Sequence, residues 1–222
     1  MTRNPFDPTF EQLPPSIPVF PLTGALLLPR GKLPLNIFEP RYLAMVQDAL
    51  AGDRIIGMIQ PSDAAVPKGA PPGLLPTGCA GRITSFAETD DGRLLITLTG
   101  LCRFSWREEL PLTRGYRRVV PDWSRFELDL TEDLADVLDR DRLDSVLRAY
   151  FRKQGISANW EAIADTPDER LVATLGMVCP FDPNEKQALL EAADLPSRAD
   201  LLLALLEMAV HDKGTGGDAA RH

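Results

Sequence analysis

The chain has 222 residues, enough for one large domain or two small ones that share an interface. Its 44% hydrophobic content predicts a globular core, and a formal net charge of −8 argues against nucleic-acid or anionic-membrane partners bound through bulk electrostatics. The longest apolar runs, Ala25–Leu28 and Leu201–Leu206, are far shorter than the roughly 20 residues of a membrane-spanning helix. Residues 1–16 are polar and proline-rich and lack the apolar stretch of a signal peptide, so we expect a cytoplasmic protein.

Short apolar segments separated by proline and glycine predict a β-rich first half. Apolar residues recur with helical spacing between Tyr42 and Leu50, which predicts a helix with Pro40 in its first turn and Gly52 at its end. Asp91-Gly92 predicts a tight hairpin turn. Gly100 is expected to break the strand that follows. The predicted strands are 17–20, 25–28, 33–37, 54–59, 79–89, 94–98, 102–107 and 116–120.

Residues 61–76 contain five prolines and no periodic apolar pattern, which predicts a mobile loop. From about residue 131 onward, apolar residues recur with helical spacing and predict about four helices. Gly155 is expected to end the first of these helices. Thr166–Glu169 and Asp182–Glu185 have the pattern of capping boxes with proline at the first helical position. A final helix is expected to open near Ser197 and to run to about His211.

These patterns together predict an α+β fold, with a barrel-like β-rich subdomain followed by a helical bundle that packs against it. We divide the chain into a flexible N-terminal extension (1–16), the β-rich subdomain (17–122), the helical bundle (123–211) and a disordered tail (212–222).

Catalytic, cofactor-binding and metal-binding signatures are absent from the sequence. The two histidines, His211 and His222, lie near the chain end, where neither can support a nucleophile. The sequence has no nucleophile elbow and no P-loop pattern. The three cysteines are scattered singly, which favours buried free thiols in a reducing compartment. Acidic residues crowd the segment 129–144, and acids alternate with arginines in Asp139–Arg142, which predicts a solvated helix face. The tryptophans predict packing.

Several segments of the chain resemble the N-terminal, substrate-binding domain of Lon proteases. They are Pro18–Leu22, Leu27–Pro29, Pro34–Leu35, Ile37–Tyr42, Gly78–Ile83, the hairpin Asp91–Arg93 with Thr99–Phe104, and Glu185–Glu191 with Arg198 and Leu202. The resemblance covers about residues 17–208 in consistent order and implies the same two-part fold. It also implies capture of unfolded polypeptide segments. The ATPase and protease modules of that family are missing, so we expect a stand-alone domain without catalysis.

Four residues of the signature are candidate polypeptide-binding residues: Phe38, Glu39, Arg41 and Tyr42. In a purely structural interpretation, Glu39 caps the helix that begins at Pro40, Arg41 forms a local ion pair, and Phe38 and Tyr42 fill the core. In the functional interpretation, they form an edge that contacts polypeptides beside exposed apolar residues.

Three hypotheses remain open from the sequence. The first is a non-enzymatic module that binds extended polypeptides by hydrophobic contacts or by strand addition at a sheet edge. The second is an adaptor for a specific folded partner, such as a Lon protease or another ATPase. The third is a small-molecule enzyme with a site in the cleft between the subdomains. The sequence does not predict the oligomeric state.

Overall fold

The computed structural model of the protein describes residues 5–62, 71–131 and 136–211. The prediction for the tail 212–222 and part of the predicted loop 61–76, namely residues 63–70, therefore lie outside the described residues. The loop prediction is wrong at both of its ends, because β3 extends to Pro61 and β4 begins at Leu74. The strands are β1 (Ile17–Pro21), β2 (Lys32–Ile37), β3 (Ile55–Pro61), β4 (Leu74–Glu88), β5 (Leu94–Thr113) and β6 (Tyr116–Asp122). The α-helices are α1 (Pro40–Ala51), α2 (Arg140–Gln154), α3 (Trp160–Ala164), α4 (Asp168–Val178), α5 (Pro183–Glu191) and α6 (Leu195–His211). Short 3₁₀ helices span Phe10–Gln12 and Glu127–Leu130.

The strands form one six-stranded sheet in the order β2-β5-β4-β3-β1-β6, which confirms the α+β class. Only β1 and β3 pair in parallel, and the other neighbours are antiparallel. β5 is 20 residues long and pairs with β2 and β4 through its first part and with β6 through its second. The sheet is not a closed barrel: β6 returns to pair with the second part of β5, and β2 lies outside this arrangement as an outer strand next to the first part of β5.

Side chains on the two faces of the sheet enter two separate hydrophobic cores. Along β5, Leu94, Ile96 and Leu98 face the larger core, which lies between the sheet and the helices. Further along the same strand, Leu101 and Phe104 belong to a second core on the other face, with Trp123 and Phe126. Because the first core contains residues of both halves, the sheet and the helical bundle are packed together as predicted.

The segment Ala25–Leu28 was predicted as a strand, and this prediction is wrong. Its leucines are almost fully buried, but the backbone has no strand pairing and ends in a turn. Gly100 was expected to break β5, yet the strand continues through it. A Cβ atom at Gly100 would collide with the carbonyl oxygen of Leu28, so this glycine permits the close approach of another backbone.

The described part of the helical half contains five helices rather than about four. Some of the predicted helix boundaries are confirmed there and others are wrong. Gly155 ends α2 with a φ of 68°, as predicted. Asp182 accepts hydrogen bonds from the N–H groups of Asn184 and Glu185, which confirms the second capping box. The first box is wrong, because α4 begins after Pro167 and the hydroxyl of Thr166 donates to the preceding helix instead.

The N-terminal segment is anchored to the sheet in its described part. Asp7 forms an ion pair of 2.9 Å with Arg82 on β4, and Leu13 is 8% exposed. The helix α6 begins at Leu195, two residues earlier than predicted, and the side chain of Asp194 accepts from the N–H of Ser197. The subdomain boundaries at 17, 122 and 211 remain predictions.

Candidate functional site

The turn between β2 and α1 carries the four candidate residues. Pro40 takes the first position of α1, and the carbonyl oxygen of Glu39 accepts from the N–H groups of Tyr42 and Leu43, both at 2.9 Å. The Glu39 side chain does not cap the helix and instead accepts from Arg41 Nε at 3.0 Å. Glu39 is the N-cap residue of α1, as predicted, although its side chain makes no capping hydrogen bond. Glu39 and Arg41 form the predicted local ion pair.

The two aromatic residues of this turn have opposite environments. Tyr42 is 7% exposed, and its ring centroid lies 4.1 Å from that of Phe20. The Arg41 guanidinium lies 4.6 Å from the centroid of the Tyr42 ring, a cation–π contact. Burial raises the pKa of the Tyr42 hydroxyl above its ordinary value. Phe38, by contrast, is 62% exposed, so the structural interpretation is correct for Tyr42 and wrong for Phe38.

The hairpin between β5 and β6 supports the turn from one side. Its two-residue loop, Arg114-Gly115, has positive φ angles of 49° and 87°, as a tight hairpin requires. Arg114 Nη1 donates to Asp48 Oδ1 on α1, and Tyr116 donates to the other carboxylate oxygen of Asp48 at 2.9 Å. Gly115 lies against Arg41, since a Cβ at Gly115 would be 3.3 Å from the Arg41 Cβ.

We use the name helix-start surface for Phe38, Glu39, Arg41 and Tyr42, of which Tyr42 is buried and packs beneath Arg41. Its ion pair is half exposed, with side-chain exposures of 52% for Arg41 and 44% for Glu39. Such a surface combines one aromatic ring with a paired charge on a rigid helix end. Chemically, it can bind an apolar side chain next to polar backbone groups.

The cysteines offer no reactive alternative. All three are buried free thiols, as predicted. Burial raises the pKa of Cys79 and of Cys102, and it raises the pKa of Cys179 to about 11. A raised pKa disfavours the thiolate, which is the nucleophilic form.

A pocket of about 120 Å³ lies within the β-rich half, and this volume is small against the roughly 300 Å³ of a typical ligand site. Its walls come from the N-terminal segment, β1, the end of α1, β3 and β6, and include Ser16, Asp48, Asp53, Ile55 and Tyr116. Across the described ranges, no three His, Cys, Asp or Glu side chains come close enough to hold a metal ion. Nor is any helix in those ranges long and apolar enough to cross a membrane.

A buried charge pair that sequence reasoning missed joins the sheet to the helices. Arg103 on β5 is 4% exposed, and its Nε and Nη2 atoms each lie 2.9 Å from the Asp129 carboxylate. Its Nη1 atom donates to the carbonyl oxygens of Leu190 and Ala192 at the end of α5. The available signal was an arginine inside the apolar run Leu101–Phe104 of a strand.

Two glutamines fix the other end of α5 to the sheet. Gln60 on β3 donates to the carbonyl oxygen of Pro183 at 2.8 Å, and Gln187 donates to that of Thr77 on β4 at 3.1 Å. Both glutamines are buried, at 4% and 7% exposure. Because buried polar groups need partners, these bonds define how α5 sits on the sheet.

The architecture defines an α+β module in which a sheet and a helical bundle share one core. Residues 16–208 match the family model described as the ATP-dependent protease La (LON) substrate-binding domain, and the chain belongs to this family. It is 23% identical over 207 residues to a Lon protease of Desulfosudis oleivorans, and 25% identical over 199 residues to Lon protease 2 of Myxococcus xanthus.

These alignments cover 92% and 88% of this chain but 22% and 24% of those relatives, so the chain spans about a quarter of their length. The fold is similar to the crystal structure of a Lon N-terminal domain protein from Xanthomonas campestris, with a TM-score of 0.56 and 24% identity over 85% of this chain and 97% of that one. It is also similar to the N-terminal domain of a Mycobacterium avium complex Lon protease, with a TM-score of 0.59 and 18% identity over 89% of this chain and 99% of that one.

Proposed function

We propose that this protein binds unfolded or extended polypeptide segments without catalysing a reaction on them. Membership in the substrate-binding family supports the general activity. The observation that carries the assignment of a site is the exposure of Phe38, 62% of whose side chain is open to solvent directly before a fixed helix start. An exposed aromatic ring on a rigid frame is suited to contact apolar segments of many sequences.

Each residue of the helix-start surface has a proposed role. Phe38 supplies the apolar contact. Arg41 and Glu39 neutralise each other and offer a polar rim to the backbone of the bound segment. Tyr42 does not touch the segment; it holds Arg41 in place from the core. The three buried free cysteines support a reducing, cytoplasmic compartment.

The test is a titration of several labelled unfolded polypeptides against wild type, Phe38→Ala and Phe86→Ala. Phe86 is the matched control, because it is 55% exposed on β4, which β5 separates from β2 in the sheet. Losing the burial of one phenylalanine, about 1.5–3 kcal/mol, weakens binding roughly ten- to a hundredfold. We expect that loss for F38A and wild-type affinity for F86A.

Two outcomes would contradict the proposal. If wild type shows no saturable binding to any of several polypeptides, the activity is wrong. If F38A and F86A weaken binding equally, the site is wrong. A single stoichiometric partner recovered from cytoplasm by affinity capture, such as a Lon protease or another ATPase, would instead favour an adaptor.

A further inference from the structure

The strand β2 is an outer strand with only one neighbour in the described part of the chain. It pairs with β5 from Lys32 opposite Thr99 to Ile37 opposite Leu94. Outer strands present unpaired N–H and C=O groups that can accept another extended chain. Leu33 and Leu35 are half-buried on the inner face, so an added strand would also find apolar side chains there.

The turn before β2 determines which backbone groups face outward. The Gly31 N–H donates to the Leu28 carbonyl, with Pro29 second in the turn and Arg30 third at a φ of 65°. Arg30 N–H then donates to Gly100 O at 3.0 Å, and Gly100 N–H donates to Gly31 O at 2.8 Å. Arg30 and Gly31 thus both lie opposite Gly100, as in a G1 bulge. The pairing of Gly31 with Gly100 determines which of the following β2 residues hydrogen-bond to β5.

Antiparallel pairs alternate between hydrogen-bonded and non-hydrogen-bonded positions. Counting from Gly31, the residues that bond to β5 are Leu33, Leu35 and Ile37. Lys32, Pro34 and Asn36 therefore point their backbone groups toward the free edge. Proline has no N–H, so the central one of these three outward positions lacks its donor. All three side chains are exposed, and Lys32 adds a charge at the same edge.

We propose that Pro34 prevents β2 from pairing with the β2 strand of a second copy of this chain. An antiparallel pair of β2 strands centred on residue 34 needs the N–H that proline lacks. One consequence rests on the proposed function: bound polypeptides are held through side chains at the helix-start surface and not by strand addition at β2. Proline and lysine on an outer strand are recognised protections against edge pairing.

The test compares the mass in solution of wild type, Pro34→Val and Pro34→Val/Asn36→Pro across a range of concentrations, without any polypeptide ligand. Valine restores the donor and favours strands, so P34V should move toward twice the wild-type mass as concentration rises. The double variant removes the neighbouring outward donor and should return to the wild-type mass. Pro72→Val is the matched control, an exposed proline outside the strands, and should behave as wild type.

Urea unfolding separately tests which β2 residues hydrogen-bond to β5 and which face the free edge. Asn36→Pro should leave the midpoint near that of wild type, whereas Leu35→Pro removes a bond to β5 and should lower it clearly. Equal midpoints for these two variants would overturn the proposal, and so would a P34V protein that keeps the wild-type mass at every concentration or fails to fold. Because no ligand is used, failure here is distinct from failure of the F38A titration.

Discussion

Replacement of Arg103 by methionine tests whether the buried charge pair holds the sheet and the helices together. Methionine keeps most of the volume but removes every donor from a side chain that is 4% exposed. The Asp129 carboxylate, 9% exposed, loses its only ion-pair partner among the described residues. Breaking a buried pair in this way destabilises by about 3–5 kcal/mol. The carbonyl oxygens of Leu190 and Ala192 lose a donor as well.

The free energy of unfolding in urea measures this effect directly. We expect R103M to lose about 4 kcal/mol. Arg103→Met/Asp129→Asn removes both charges of this pair, and the amide oxygen introduced at position 129 can still accept from the backbone N–H of residue 103, so the double variant should lose only about 2 kcal/mol. Arg107→Met is the control on the same strand. Its pair with Asp122 is exposed, with 67% exposure for the Arg107 side chain, and should contribute less than about 1 kcal/mol.

The reasoning would be refuted if R103M stayed within about 1 kcal/mol of wild type, the range of an exposed pair. It would also be refuted if the double variant were as unstable as R103M. That second result would mean that the lost bonds to α5, and not the unpaired charge, determine the effect.

Two further predictions concern α5 and alkaline stability. Asp182→Ala removes the cap of α5 and should lower the free energy of unfolding by about 1 kcal/mol, whereas Thr166→Ala should change it by less than about 0.5 kcal/mol; equal losses would contradict the capping assignment. Burial raises the pKa of Cys179 to about 11 and that of Tyr150 to about 12, so both contribute stability below their unfolded pKa values of about 9 and 10. Stability should therefore fall as pH rises from about 9 to 12, and Cys179→Ala should delay the onset of this fall; a loss already complete at pH 8 would argue against it.

The parts of the fold that the sequence predicted correctly depend on local chemistry. Pro40 and Gly52 bound α1, Gly92 forms its hairpin turn at a φ of 81°, and Asp182 caps α5. In each case, the residue that gives the signal also makes the interaction. Thr166 is an exception: it begins the same capping-box pattern as Asp182, but the helix α4 begins only after Pro167, so the pattern did not predict the helix start correctly.

The features that the sequence did not predict depend on contacts between distant residues. Leu28 has strand-like neighbours, but its backbone crosses Gly100, 72 positions later, so it cannot pair as a strand there. Arg103 and Asp129 meet across 26 positions, and nothing local to either residue marks the other. Within the candidate site, the burial of Tyr42 was predicted. The exposure of Phe38 was not, because phenylalanine is among the residues most often buried.

The buried segment Leu26–Leu28 has a consequence for how the protein folds. It fills the core shared by the sheet and the helices, where Leu28 lies 3.4 Å from a Cβ position at Gly176 on α4. This contact joins residues roughly 150 positions apart, so a large loop must close before it can form. The helical bundle thus completes its core only after the connection from β1 to β2 is in place. A chain started at residue 123 would expose that unfilled core, and adding residues 1–122 in trans would be needed to restore a cooperative unfolding transition.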